Sequence, residues 1–112
     1  MAAVDDLVKD SMESLGVPAG RLKIEGSHET YIVWQRVFGK DISHADDGAG
    51  GSETSWMASL YSKNDYVGLR DSMVVKIKEA GFHAVEIMAE TYEDDTEYYH
   101  ASISFKYMEE VL

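Results

Sequence analysis

The sequence predicts an α+β two-layer sandwich. Two helices would pack on one face of a mostly antiparallel sheet of about four strands, in the order α-β-β-α-β-β, within a single domain over residues 1–112. Three observations predict it. Two segments repeat apolar residues at spacings of three and four, which gathers them on one side of a helix. Other segments are rich in β-branched and aromatic residues, or alternate apolar with polar at the period of two proper to a half-buried strand. Two helices set against about four strands then need two layers to bury both apolar surfaces.

The first helix is expected over residues 3–15. Val4, Leu7, Val8, Met12 and Leu15 form its apolar stripe, while Asp5, Asp6, Lys9, Asp10 and Glu13 face away. Acidic residues in its first turn suit the positive end of the helix dipole. Gly16 and Pro18 stop it. Residues 21–29 are ambiguous, with a short edge strand around Leu22 and Ile24 as one reading, ahead of a turn at Gly26.

Residues 30–38 read as a strand with two largely apolar faces. Ile32, Trp34 and Phe38 lie on one, and Tyr31, Val33 and Val37 on the other. Residues 53–62 read as the next strand, with Trp56, Ala58 and Leu60 on one face and Ser55, Met57, Ser59 and Tyr61 opposite. The four glycines of residues 39–52 predict a long, flexible connection between them.

The second helix begins near Asn64 and Asp65, which suit a cap on the free N–H groups of a first turn. Tyr66, Leu69, Met73, Ile77 and Ala80 make its stripe, and Gly81 its left-handed stop. Val67 and Val74 either widen that stripe or join Val75 in a subunit contact. A strand over residues 83–91 is expected to turn Val85, Ile87 and Ala89 to the core, and residues 93–97 form an acidic turn. In the last strand Tyr99, Ala101, Ile103, Phe105 and Tyr107 alternate with His100, Ser102, Ser104 and Lys106. Trp34 or Trp56, Leu69, Ile77, Ile103 and Phe105 are therefore expected in the core. The opposite sheet face collects Tyr31, Val33, Val37, Met57, Tyr61 and Met88, too apolar a set to be indifferent to a partner. With Val75 on the second helix, these are the candidate subunit-interface residues.

Composition narrows the function. Aromatics at 11% and hydrophobics at 45% argue against disorder. The chain has no cysteine, which excludes disulfides and thiolate chemistry. No apolar run approaches the length of a membrane span, and the first ten residues lack the basic start and apolar core of a signal peptide, so no membrane partner and a cytoplasmic origin are expected. Lys and Arg total 10 against 21 Asp and Glu, a formal net charge of −11. Tight nucleic-acid binding, which draws its affinity from phosphate neutralisation, is not expected.

A search for chemistry finds no enzyme. His28, His44, His83 and His100 match no metal-binding spacing. His44, Asp46 and Asp47 could approach a divalent cation only from a glycine-rich loop that would first have to be ordered. Gly48, Gly50 and Gly51 lead into a strand rather than the Lys, Ser/Thr and helix of a phosphate-binding loop. Glu93, Asp94, Asp95 and Glu97 crowd a turn, where solvation is expected rather than a pocket that raises a carboxyl pKa. His100 has no orienting partner and reads as a surface or interface histidine. Tyr98, Tyr99 and Tyr107 lack the basic groove of a base-stacking platform, so Tyr99 and Tyr107 read as core and Tyr98 as out of step with it. No catalytic residue, cofactor or metal is expected.

Residues 60–107 carry a resemblance. The run YSKNDY, the helix ending in EAGF and the hairpin YEDDTEYYHASISFKY resemble, in order and spacing, the small tail terminator or tail completion proteins of long-tailed bacteriophages. The resemblance implies a structural virion protein that assembles with itself as a ring, usually a hexamer, at the head-proximal end of the tail tube. Such a ring ends tube growth and joins tail to head. Its implied partners are the tail tube protein and a head-tail connector protein, and its implied location is the virion tail after assembly in the host cytoplasm. Alternatives are a head-side connector or minor capsid protein, and an acidic cytoplasmic regulator that binds a basic protein.

Overall fold

A computed structural model describes residues 4–37 and 51–110. Helix α1 spans Val4–Glu13 and α2 spans Val67–Glu79; the strands are β1 (Ala19–Arg21), β2 (Thr30–Val37), β3 (Gly51–Ser62), β4 (His83–Glu93) and β5 (Tyr98–Glu110). They form a sheet in the order β1-β2-β3-β5-β4, antiparallel at every pairing except the parallel β1–β2 edge. The fold is the expected α+β class, with five strands rather than four. The second helix links β3 to β4 while β5 lies between those two strands. Helix α1 packs on α2 and β1, and α2 on β4 and β5.

The core lies between the helices and one face of β2, β3 and β5. Cross-strand pairing sets its rows: Ile32 beside Leu60 beside Ala101, Trp34 beside Ala58 beside Ile103, and Trp56 beside Phe105. All of these are buried, as are Val4, Val8 and Met12 of α1 and Met73 and Ile77 of α2. The small Ala58 between Trp34 and Ile103 leaves room for the indole, so large and small side chains interlock across the row. Both tryptophans are in the core. Trp56 donates its indole N–H to Thr54 Oγ1 at 2.9 Å, which satisfies a donor that burial removes from water.

The second helix ends as its glycine predicts. Gly81 adopts φ +100°, the Gly81 N–H donates to the Lys78 carbonyl and the Phe82 N–H to the Ile77 carbonyl. This double bond is a Schellman cap, and it brings Phe82 and Ile77 together in the core. At the other end Asp65, rather than Asn64, accepts the N–H of Val67 at 3.1 Å. Val74 packs partly against the core, whereas Val67 and Val75 are exposed.

Four expectations need correction. The first edge strand lies at Ala19–Arg21, ahead of the Leu22 and Ile24 region. Leu22, at φ +68°, turns the chain out of the strand. Gly51 and Ser52, expected in the connection, are the first residues of β3. The rest of that connection and Phe38 lie outside the described residues, as does the proposed His44, Asp46 and Asp47 group. On β4, two register shifts break the simple alternation, between His83 and Glu86 and between Ile87 and Ala89. Val85 packs partly against the core and Ile87 keeps the helix side but is exposed there rather than core, while Ala89 pairs with Ser102 on the opposite face, and Glu90 beside Ala101 takes the helix-side position. A bulge adds one residue and flips the phase of all that follow. Finally, Tyr99 is exposed rather than core; it lies beyond the first turn of α2, with its ring against those of Tyr66 and Tyr92.

The Phe105 ring meets Phe82 edge-on, with centroids 5.0 Å apart, under α2. Replacing Phe105 by alanine is expected to cost about 3–5 kcal/mol, the transfer loss plus an unfilled cavity. Denaturant unfolding measures it; a loss under about 1 kcal/mol would place the ring outside the core.

Candidate functional site

The sheet face turned away from the helices is built by the other set of alternate positions. On β2 these are Tyr31, Val33, Gln35 and Val37; on β3, Ser55, Met57, Ser59 and Tyr61; on β5, Tyr98, His100, Ser102, Ser104 and Lys106. Five of the candidate interface residues, Tyr31, Val33, Val37, Met57 and Tyr61, thus come together on two adjacent strands. Met88 lies apart, in the β4 register shift between Ile87 and Ala89, with its side chain 54% exposed. Val75 lies in the other layer, on the exposed side of α2. The structure therefore separates these two from the sheet-face patch.

One end of this face is an aromatic ladder. Tyr31 and Tyr61 are cross-strand partners whose rings stack at 5.0 Å, and the His100 ring stacks on Tyr61 at 4.4 Å and nearly parallel. Tyr98 closes the group edge-on against both tyrosines. Its hydroxyl donates to the His28 carbonyl, and Lys63 Nζ sits 5.1 Å from its ring centre. Offset and edge-to-face pairs of this kind add stability beyond burial. Burial pushes the Tyr31 and Tyr61 phenols above their ordinary value; for Tyr31 the neighbouring Tyr61 adds to it, and Glu93 acts in the same direction on both. His100 and Tyr98 belong to this ladder, which single-strand patterning did not reveal. The signal was present in their shared parity with Ser102 and Ser104, but only the β3–β5 register brings His100 beside Tyr61.

Beside the ladder the chain folds over the sheet. After β1, residues Leu22 to Ile24 overhang the open face and enclose a groove of about 380 Å³, floored by Tyr31, Val33, Ser59 and Tyr61. Gly20 permits the fold-back, since a Cβ there would run into the Lys23 carbonyl oxygen. Leu22 is 66% exposed at the rim.

Charge is distributed unevenly around this surface. Along residues 31–37, 53–61 and 98–106, the charged side chains on the open side are Glu53 and Lys106, 3.9 Å apart. His83 also donates to Glu53 at 2.8 Å. Within β2, β3 and β5 these two formal charges cancel, while on β4 Glu86 beside Ser104 and Glu93 beside Tyr98 make the margin of the same side acidic. One charged cluster lies on the helix side, where Glu90 accepts from Tyr66 and from Arg70, which also binds Asp71. The hydrogen bond to Glu90 is the largest cause raising the Tyr66 phenol. These pairs are largely exposed and tie α2 to β4 rather than enclosing a reactive group.

Among the described residues, no three His, Asp or Glu side chains gather to hold a metal, and no helix is long and apolar enough to cross a membrane. His100 Nε2 is buried without a hydrogen-bond partner, and the ring's contact is the tyrosine stack. The centre of the face, on β2 and β3, is thus apolar and partly aromatic, with its charged side chains toward the margins.

The chain has seven tyrosines. Tyr31, Tyr61, Tyr66 and Tyr92 all have phenols raised above the ordinary value. For a group whose folded value lies above the unfolded one, the stabilisation is complete below the unfolded value and is lost as pH rises through the folded one. Stability should accordingly fall above about pH 10, the ordinary tyrosine value, and less steeply in Tyr31→Phe; an unchanged slope in that variant, measured by denaturant unfolding across pH, would contradict the burial of the ladder. A scan against protein-family models and a search of curated proteins each return no match to this sequence.

Proposed function

We propose that this chain is a structural subunit that assembles through its open sheet face, acting as a phage tail terminator or completion protein. Copies of it would form a ring at the head-proximal end of the tail tube and join tail to head. The observation that carries the proposal is the open face itself. Tyr31, Val33, Met57 and Tyr61 lie side by side on β2 and β3, where the open-side charges of β2, β3 and β5 are the paired Glu53 and Lys106, in a chain of net −11. Two copies so strongly acidic repel one another, and contact through these apolar side chains rather than through carboxylates limits that repulsion while removing apolar area from water. The resemblance of residues 60–107 supplies the biological setting, and the ring supplies a task that needs recognition and no covalent step.

A specific, stable contact of this kind buries on the order of 1,200–2,000 Å². Replacing Val33 and Met57 together by aspartate puts charges on the face without touching the core rows. Assembly measured by light scattering should fail while circular dichroism stays native, and tails should no longer join heads. Rings that persist in this variant would place the contact elsewhere.

A ring at the tail's end must also let DNA pass without holding it. The turn after β4 carries Asp94, Asp95 and Glu97, and carboxylates repel phosphate. No retention on DNA is expected even at low salt, where attraction is strongest. Salt-sensitive retention would contradict a passive channel.

A further inference from the structure

The sheet is asymmetric from edge to edge in a way that specifies how copies meet. At the β1 edge, the overhang of Leu22 to Ile24 and the floor of Tyr31 and Val33 make a recess. At the opposite edge, the second register shift of β4 carries Met88, 54% exposed, beside Ile87, 42% exposed. One edge is therefore an apolar socket and the other an apolar knob. Their charges are also complementary. Lys23, exposed beside Glu25, is on the socket wall, while Glu86 precedes the bulge on the open side.

We infer that the Met88 bulge of one copy seats in the Leu22–Tyr31 groove of the next. The inference rests on the self-assembly reading above and deepens it by naming the two surfaces that meet. Methionine suits the knob because an unbranched thioether adapts to an irregular recess and packs well on aromatic edges such as Tyr31 and Tyr61. A groove of about 380 Å³ is ample for the Met88 side chain. The knob and socket sit at opposite ends of one sheet, so the contact is head-to-tail. Such a contact leaves a growing chain of subunits with a free knob at one end and a free socket at the other until it closes on itself. It also gives the β4 bulge a role. The bulge interrupts backbone pairing along that edge, so neighbours recognise side chains there rather than adding strands to one another.

The absence of cysteine makes a direct test possible. Leu22 and Met88 are separated by four strand spacings of about 4.8 Å, roughly 19 Å in all. A disulfide needs Cα atoms within about 7 Å, so Leu22→Cys with Met88→Cys in one chain can link only between copies. Under mild oxidation the double variant should give a denaturant-resistant, reducible ladder that ends at the ring size. A mixture of the two single variants should stop at dimers, and neither alone should link. Met88→Asp, at an exposed site that leaves the core intact, should lower assembly at least tenfold, and Met88→Leu should retain it.

If particles form by light scattering but no ladder appears, the copies meet through other surfaces, and this inference fails while the assembly reading stands. A double variant that stops at dimers would signal a two-fold contact and overturn the head-to-tail arrangement. A folded monomer at every concentration, for the native chain as well, would overturn both.

Discussion

Everything in this fold depends on the strict alternation along β3. Thr54, Trp56, Ala58, Leu60 and Ser62 are all buried toward the helices, while Ser55, Met57, Ser59 and Tyr61 take the opposite side. Because the strand lies between β2 and β5, its phase fixes theirs through the pairings of Leu60 with Ile32 and Ala101 and of Ala58 with Trp34 and Ile103. A slip of one residue would drive Tyr61 and Met57 under the helices and expel Trp56 and Leu60 to water. At about 1.5–3 kcal/mol for each large apolar side chain moved out of the core, the slipped arrangement is heavily disfavoured. The two faces of the sheet, one turned to the helices and one open, are set by this one strand.

Where a segment obeys a single period, its placement was readable from residues alone. The stripes of both helices, the two tryptophans and the alternation of β2, β3 and β5 follow from local pattern, as does the Gly81 stop. The same logic placed Tyr31, Val33, Val37, Met57 and Tyr61 on a common surface. It failed where the period is broken. The β4 bulges move Ala89 out of the helix-side set and install Glu90, whose carboxylate is held at the surface by Tyr66 and Arg70. No periodicity anticipates an inserted residue. Nor does composition mark Ala19–Arg21 as a strand, since those three residues are paired by the backbone of β2 and have no pattern of their own.

The parts of the candidate site that were missed are relational. His100 is an ordinary polar position in its own strand, and becomes an aromatic neighbour of Tyr61 only through strand register. The overhang of Leu22 to Ile24 exists because Gly20 lets the chain double back onto β1 and because Leu22 turns at positive φ. A leucine in that conformation is held against its own backbone preference. The surface it helps to wall is therefore maintained by the surrounding fold rather than by local propensity.

The placement of β5 between β3 and β4 has a further consequence, for the order in which the molecule can be made. Strand β3 and helix α2 leave the ribosome first, followed by β4, yet β3 and β4 have no hydrogen-bonded contact with each other. Residues 98–110 pair with β4 across a short turn and with β3 across a much longer stretch of chain, so β3 gains its second partner only once they are made. Until then the apolar row of Trp56, Ala58 and Leu60 has a ladder partner on one side only. Pairings that close over such a long sequence separation are slow, and open strand edges invite association in the interval. Completion of the sheet is thus a late event of synthesis, and it completes the aromatic ladder in the same step, since His100 and Tyr98 reach Tyr61 only when β5 pairs with β3.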